Sequence, residues 1–211
     1  SPLTALIGRN VVSQMILQII GQVCWALGIH PGFLTSATGP IMFGLDGMNQ
    51  AAYAAGQPIP NIIGMAFSYS MTIAVLYPAF ALAVLIFSKS NQLKTVGKIS
   101  IAPAFFGISE PLMFGVPVVM NPFMAIPWII SPTVNVLLGW LACSSGLVAR
   151  YAGVTVFNFP MGVTGILNGS FTIAILEVVV CIIDVLIFMP FVRIQDKKYI
   201  DAEKAAETEQ N

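Results

Sequence analysis

Four long apolar runs dominate the hydrophobic pattern of this chain. They cover residues 11–29, 62–87, 122–149 and 171–192. Because about 20 residues of α-helix cross the hydrocarbon core of a bilayer, each run is long enough to span a membrane. The pattern therefore predicts an all-α membrane protein with about four transmembrane helices.

Two further stretches, 28–61 and 99–121, are apolar but repeatedly broken by Gly and Pro. They are too apolar for solvated loops and too interrupted for straight lipid-facing helices. Non-helical backbone at membrane depth is tolerated only where protein or water covers it. We therefore expect each stretch to form a re-entrant helical hairpin. Within the first, Asp46 and Asn49 flank Gly47 and are predicted to be turn residues.

The composition supports a membrane location. The 211 residues are 57% hydrophobic and 9% charged, whereas soluble domains carry about 25% charged residues. The nine basic and nine acidic residues balance, so no basic face is predicted and no nucleic-acid partner is expected.

The distribution of basic residues predicts the orientation. They form one cluster after the second apolar run and another after the fourth, namely Lys89, Lys94 and Lys98, then Arg193, Lys197, Lys198 and Lys204. Because cytoplasmic loops carry an excess of Lys and Arg, both clusters are predicted to be cytoplasmic. The two hairpins then enter the membrane from opposite sides. We divide the chain into a transport domain, 1–195, and a charged cytoplasmic tail, 196–211.

The three cysteines, Cys24, Cys143 and Cys181, lie singly within apolar runs. Their odd number and wide spacing argue against a disulfide framework and a metal site, and we interpret them as small packing residues. No phosphate-cradling glycine loop is evident. We therefore expect neither a metal nor another cofactor.

Three carboxylates lie within apolar sequence, and such residues are functional candidates. Glu177 and Asp184 are seven residues apart on one helix face and are interpreted as structural or cavity-facing. Glu110 differs because it lies at a backbone break, between Ser109 and Pro111. With Ser109 as N-cap and Pro111 in the first turn, a short helix would begin there and place Glu110 at its tip. A carboxylate in that position can accept hydrogen bonds from sugar hydroxyls or act as a general base.

Other polar side chains suggest a cavity. Gln14, Gln18 and Gln22 repeat every four residues, so their amides share a helix face that should point toward a protein interior or a wet cavity. Trp25 is either an interfacial residue or part of a site. His30, the only histidine, precedes a Pro-Gly break and is either structural or cavity-facing.

Two segments resemble a known family. The segment GISEPLMFGVPVVMNPFMAIPWIISPTVN (107–135) resembles the signature of the membrane-spanning IIC component of the bacterial phosphoenolpyruvate-dependent sugar phosphotransferase system, lactose/cellobiose family. The segment WALGIHPG (25–32) resembles the His-containing hairpin of the same family. The resemblance covers about residues 20–195 and corresponds to the C-terminal, sugar-binding half of such a protein.

The resemblance implies uptake of a β-linked disaccharide or β-glucoside, such as cellobiose, lactose or chitobiose, across the bacterial inner membrane. Glu110 would hydrogen-bond the 6-hydroxyl that is phosphorylated, His30 would contact the sugar, and Trp25 would lie near the ring. The phosphoryl group would come from a phosphocysteine on the separate cytoplasmic IIB protein, so no residue here is expected to carry it. The implied partners are the sugar, IIB, the lipid bilayer and, in the full-length protein, a second copy in a homodimer.

The sequence departs from the family pattern in two places. The family's Asn before the Glu is Ser109 here, and its Trp-Thr-Thr-Pro-like stretch corresponds to Phe157-Asn158-Phe159-Pro160. Ser109, Phe157 and Asn158 therefore join the predicted sugar-binding residues, and the identity of the sugar stays open.

Two other functions remain as alternatives. One is an ion-coupled secondary transporter that uses Glu110, Glu177 and Asp184 as proton or cation sites. The other is a membrane assembly subunit without a substrate. Coupling to phospho-IIB, rather than to an ion gradient, distinguishes the leading hypothesis from both.

Overall fold

A computed structural model describes residues 10–209, and within that range the chain is helical and has no strand. The elements in chain order are α1 (Val11–Ala26), α2 (Gly32–Ala54), α3 (Met65–Tyr69), a π-helical turn (Ser70–Ala74), α4 (Val75–Phe87), α5 (Asn91–Phe105), α6 (Glu110–Gly115), α7 (Pro122–Ser144), α8 (Val163–Leu167) and α9 (Phe171–Glu209). This confirms the predicted all-α class.

Three helical segments of the described range are long and apolar enough to cross a membrane: Met65–Phe87, Pro122–Ser144 and Phe171–Thr208. They coincide with three of the four predicted spans. The fourth, α1, is apolar but only 16 residues long. It ends shortly before Gly28, whose φ of 77° lies in the left-handed region that favours glycine.

The core lies around α4, which packs against α7 and α9. The Tyr77 ring stacks on Trp128 of α7 with 5.8 Å between centroids, and the Phe80 ring stacks on Phe188 of α9 at 4.5 Å. Phe80, Trp128 and Phe188 are fully buried. Burying such side chains stabilises the fold by about 1.5–3 kcal/mol each, so α4 holds the surrounding helices in place.

The spanning segment that contains α4 is not a regular helix. Its backbone widens into the π-helical turn Ser70–Ala74 before α4 begins. Pro78, in the next turn, has no N–H to donate to the carbonyl of Ala74. Single π turns inside helices are frequent at functional sites, and this one lies beside the cavity described below.

The predicted turn at Asp46 and Asn49 is wrong, whereas the re-entrant course of 28–61 stays a prediction. The range contains one 23-residue helix, α2, with Pro40 inside it, followed by a non-helical return to α3. Asp46 and Asn49 are buried helix residues rather than turn residues. Asp46 Oδ2 accepts hydrogen bonds from Ala66 N (2.9 Å) and Thr155 Oγ1 (2.8 Å). The tertiary contacts of these polar side chains hold a helix where the local sequence favours a turn.

The segment after Lys89 is also more helical than expected. Lys94 and Lys98 lie on α5, not in a loop, and α5 is followed by the short helix α6 after a tight turn. The carboxylate of Asp196 accepts hydrogen bonds from the backbone N–H groups of Lys89 (2.7 Å) and Ser90 (3.0 Å) at the start of α5. The α9 helix continues without a break through the predicted boundary between residues 195 and 196.

Candidate functional site

A cavity of about 210 Å³ lies between α1, α2 and the segment from α3 to α4. Its wall combines amides, hydroxyls and aromatic rings, including Gln14, Gln18, Gln22, Trp25, Thr35, Thr38, Ser68, Tyr69, Thr72, Tyr77 and Phe157. The three glutamines of α1 all line it, which confirms the prediction that their shared face points into a cavity.

Two glutamines leave hydrogen-bond acceptors in the wall. Gln14 Nε2 donates to Ser68 Oγ at 2.9 Å, which fixes that amide. The Oε1 atoms of Gln14 and Gln22 are buried and have no partner among the described residues. Since buried polar atoms normally find a partner, these two oxygens suit a ligand that brings hydroxyl donors.

Tyr69 holds two loops together beside the cavity. Its hydroxyl oxygen accepts a hydrogen bond from the backbone N–H of Asn158 at 2.7 Å, and its ring packs edge-on against Phe157 at 5.2 Å. Asn158 has a φ of 61°, a left-handed conformation that Asn tolerates better than most residues. Gly107, in the loop before α6, also approaches Tyr69 closely. A Cβ added to this glycine would lie only 2.9 Å from the Tyr69 hydroxyl and 3.4 Å from Asn158 Oδ1. The loop that precedes α6 and the loop 157–158 therefore meet at Tyr69.

Tyr77 connects the cavity to the tip of α6. Its ring lines the cavity, and both Ser109 and Glu110 lie close enough to influence its hydroxyl electrostatically. Glu110 is the first residue of α6, as predicted, and its side chain is exposed. Ser109 is the N-cap residue, but its buried side chain makes no capping hydrogen bond. It faces Tyr77 instead.

His30 packs against Trp25 at the end of α1. The two rings are edge-to-face with 4.7 Å between centroids. His30 Nδ1 accepts a hydrogen bond from Gly32 N at 3.1 Å, so a neutral imidazole carries its proton on Nε2, which can donate to a ligand. The backbone N–H of Met120, in the segment after α6, donates to the Ala26 carbonyl at 2.8 Å. The His30 segment and the Glu110 segment are therefore neighbours.

The structure brings the six predicted site residues to one region, although only Trp25 and Phe157 line the cavity itself. Asn158 and His30 contact residues of the wall, Tyr69 and Trp25 respectively. Ser109 and Glu110 belong to the segment that acts electrostatically on Tyr77 of the wall.

Sequence reasoning missed Tyr69 and Tyr77, the two residues that connect these groups. Ser68 and Ser70 flank Tyr69, but Tyr77 lies between Leu76 and Pro78, so no local pattern marks the two tyrosines as a pair. A buried tyrosine hydroxyl requires a partner. The partners come from loops far away in sequence.

The carboxylate of Glu177 is fully buried and joins the start of α8 to the π turn. Its oxygens accept hydrogen bonds from Ser70 Oγ (2.6 Å), Thr164 Oγ1 (2.6 Å) and Gly162 N. The Tyr151 and Ser70 hydroxyls are 2.8 Å apart. Burial raises the pKa of Tyr151 well above its usual value, so this tyrosine stays protonated and can donate to Ser70. The network supports the structural interpretation of Glu177.

Asp184 lies two turns further along α9 and is also fully buried. Its Oδ2 accepts a hydrogen bond from Asn135 Nδ2 of α7 at 2.7 Å. Neither Glu177 nor Asp184 lines the cavity. The three intramembrane carboxylates therefore do not form one site.

Comparison with known proteins agrees with these features. Residues 3–132 match the family described as Phosphotransferase system, EIIC. The chain is 35% identical to the oligo-beta-mannoside-specific EIIC component of Bacillus subtilis (strain 168), over 97% of this chain and 48% of that protein. It is 33% identical to the cellobiose-specific EIIC component of Geobacillus stearothermophilus, over 98% of this chain and 48% of that protein.

A solved structure shows the same fold. The crystal structure of the transporter ChbC, the IIC component of the N,N'-diacetylchitobiose-specific phosphotransferase system, superposes with a TM-score of 0.91 at 35% identity. The match covers 96% of this chain and 48% of ChbC. The chain spans about half the length of these relatives. By the family match and this common fold, the chain belongs to the membrane EIIC components of the sugar phosphotransferase system.

Proposed function

We propose that this chain forms the sugar-binding part of a phosphotransferase-system permease. It binds a β-linked disaccharide or β-glucoside and takes part in moving it across the bacterial inner membrane. The sugar's 6-hydroxyl is phosphorylated by the cytoplasmic phospho-IIB protein. Family membership supports the reaction class, and the specificities of the relatives, oligo-beta-mannoside, cellobiose and diacetylchitobiose, support a β-linked sugar.

The observation that carries the proposal is the composition and position of the cavity. Its wall offers buried amide oxygens from Gln14 and Gln22 and aromatic rings from Trp25, Tyr77 and Phe157. Sugars present hydroxyl donors at their rim and apolar C–H groups on their faces. Amide oxygens and aromatic rings are the matching protein groups.

Glu110 then supplies the chemistry at one end of the bound sugar. Its carboxylate, exposed at the first residue of α6, can accept a hydrogen bond from the 6-hydroxyl and orient that oxygen toward an incoming phosphoryl group. His30 Nε2–H donates to a second hydroxyl. Ser109, Asn158 and Phe157 complete the proposed binding set. The phosphocysteine donor lies on IIB, so this chain contributes positioning and a base.

The proposed orientation places the α5–α6 unit and the end of α9 on the cytoplasmic side. Basic residues after α4 and on α9 support it through the positive-inside rule. In this arrangement the α5–α6 unit enters the membrane from the cytoplasm, where IIB can approach Glu110. The segment that contains His30 enters from the opposite side, and the full-length permease is a homodimer.

Calorimetric titration of the purified protein with cellobiose, lactose and chitobiose tests the binding step. We expect at least one sugar to bind to the wild type. Glu110→Gln should weaken that binding about tenfold, because it replaces one charged acceptor, which contributes about 1.5 kcal/mol. The same variant should abolish transfer from phospho-IIB. Asp201→Asn, an exposed charge change on α9, is the control and should change neither. Unchanged binding and phosphorylation in Glu110→Gln would contradict the proposed site.

The ion-coupled alternative predicts a different dependence. Sugar uptake in vesicles would then respond to an imposed proton or sodium gradient in the absence of phospho-IIB. Under the proposed function, uptake requires phospho-IIB and is indifferent to the gradient. A substrate-free assembly subunit would bind none of the three sugars.

A further inference from the structure

A second cavity, of about 390 Å³, lies where α4 ends and α9 leaves its apolar part. Its wall has a cationic side, made by Lys89, Arg193 and Lys197, and an apolar side, made by Ile86, Phe87 and Ile200. We call it the basic groove. It is separate from the sugar cavity, which shares none of these residues.

Among the residues that the structure describes, Asp196 supplies the one carboxylate in the wall of the basic groove, and it is already hydrogen-bonded. Asp196 Oδ2 accepts from Lys89 N at 2.7 Å, and Oδ1 accepts from Ser90 N at 3.0 Å and Ser90 Oγ at 2.6 Å. Asp196 is 3% exposed. These bonds fix α9 to the turn before α5 and leave three cations beside one carboxylate, so the groove attracts an anion.

The groove also lies at the boundary between apolar and charged surface. Phe87 is the last residue of α4, and Arg193 is the first charged residue after the apolar part of α9. The Arg193 guanidinium lies 5.0 Å from the centroid of the Phe87 ring, a cation–π arrangement that holds it in place. Ile86, next to it, is 60% exposed. A spanning helix changes from apolar to charged at the interface between lipid and water, so a ligand here meets cations and hydrocarbon together.

We propose that the basic groove is a binding site for an anionic phospholipid. The phosphate contacts Arg193, whose planar guanidinium suits bidentate binding, and the ammonium groups of Lys89 and Lys197. The first methylenes of an acyl chain lie against Ile86 and Ile200. Basic pockets between spanning helices recognise lipid headgroups by this combination of charge and apolar contact.

Native mass spectrometry of the purified protein, in micelles that contain phosphatidylglycerol or phosphatidylcholine, tests the proposal. We expect the wild type to retain phosphatidylglycerol and to release phosphatidylcholine. The double variant R193Q/K197Q should bind phosphatidylglycerol about 30-fold more weakly. The control, K94Q/K98Q, removes the same charge from exposed positions on α5 and should bind as the wild type does. Equal losses in both double variants, or equal retention of both lipids, would overturn the proposal.

Two further measurements separate the lipid from other anions. Ile86→Asn keeps every charge of the groove and changes an exposed side chain, so it should leave the fold intact and weaken lipid binding several-fold. Ile86→Asn therefore still tests the proposal if R193Q/K197Q does not fold. Inorganic phosphate at the same concentration should not displace the lipid; displacement would indicate a free-anion site. If R193Q/K197Q kept the lipid but lost binding of phospho-IIB, the groove would be a protein contact and the proposal would be wrong.

Discussion

Replacing the carboxylate of Glu177 with an amide should destabilise the fold without changing the cavity between α1, α2 and the segment from α3 to α4. The two carboxylate oxygens accept from Ser70 Oγ, Thr164 Oγ1 and Gly162 N. In Glu177→Gln one oxygen remains, and the other position carries an NH₂ group that is itself a donor. At least one of the three donors therefore loses its partner.

The magnitude follows from the number and type of bonds. A hydrogen bond to a charged group contributes about 1.5–3 kcal/mol, and the bonds that remain lose their charge assistance. We expect Glu177→Gln to lower the free energy of unfolding by about 2–4 kcal/mol. For a chain of this size each kcal/mol lowers Tm by about 2–4 °C, so Tm should fall by about 4–16 °C.

Thermal unfolding in detergent, followed by circular dichroism, measures this effect. Thr164→Val is the matched variant, because it removes one of the hydroxyl donors to Glu177 Oε1 and leaves the carboxylate in place. It should lower the free energy of unfolding by about 1 kcal/mol. Sugar affinity should change little in either variant, since Glu177 does not line the cavity. A Glu177→Gln protein as stable as the wild type would refute the structural role of this network.

Two other substitutions, with a glycine control, test local contacts. Tyr69→Phe removes the acceptor for Asn158 N and should weaken sugar binding about fivefold by titration calorimetry, because a neutral hydrogen bond contributes about 1 kcal/mol; unchanged affinity would separate the loop 157–158 from the site. Gly165→Ala should destabilise the protein by about 1–3 kcal/mol, because the added Cβ meets the backbone of Ala174. Gly44→Ala, with open space around its Cβ, should be neutral or stabilising in the same thermal scan, by up to about 1 kcal/mol.

The spanning helices could be predicted from the sequence because their signal is local. An apolar run of sufficient length, such as 62–87 or 171–192, needs no tertiary information to be recognised. The α2 helix could not be predicted in this way. Its Gly and Pro residues favour a break, and the contacts that keep it helical come from distant partners of Asp46, such as Thr155. Residue 155 is too far away in sequence for a local pattern to show the pair.

The same distinction applies to the site. Glu110 could be singled out because a carboxylate beside a proline in an apolar run is unusual in itself. Tyr69 and Tyr77 could not, because a tyrosine in an apolar run also occurs as an ordinary packing residue. Their role depends on which loops reach them, and the loops that contain Gly107 and Asn158 are far away from Tyr69 in sequence.

The π turn Ser70–Ala74 explains how Tyr69 and Tyr77 reach the same cavity. In a regular α-helix each residue rotates by about 100°, so two residues eight positions apart point about 80° away from each other. A π turn takes up about one extra residue without adding its rotation. The separation is then equivalent to seven residues, and the two side chains differ by only about 20°. Deleting one residue from this turn would restore the regular helix and rotate Tyr69 out of line with Tyr77, even though no residue of the cavity wall need be changed.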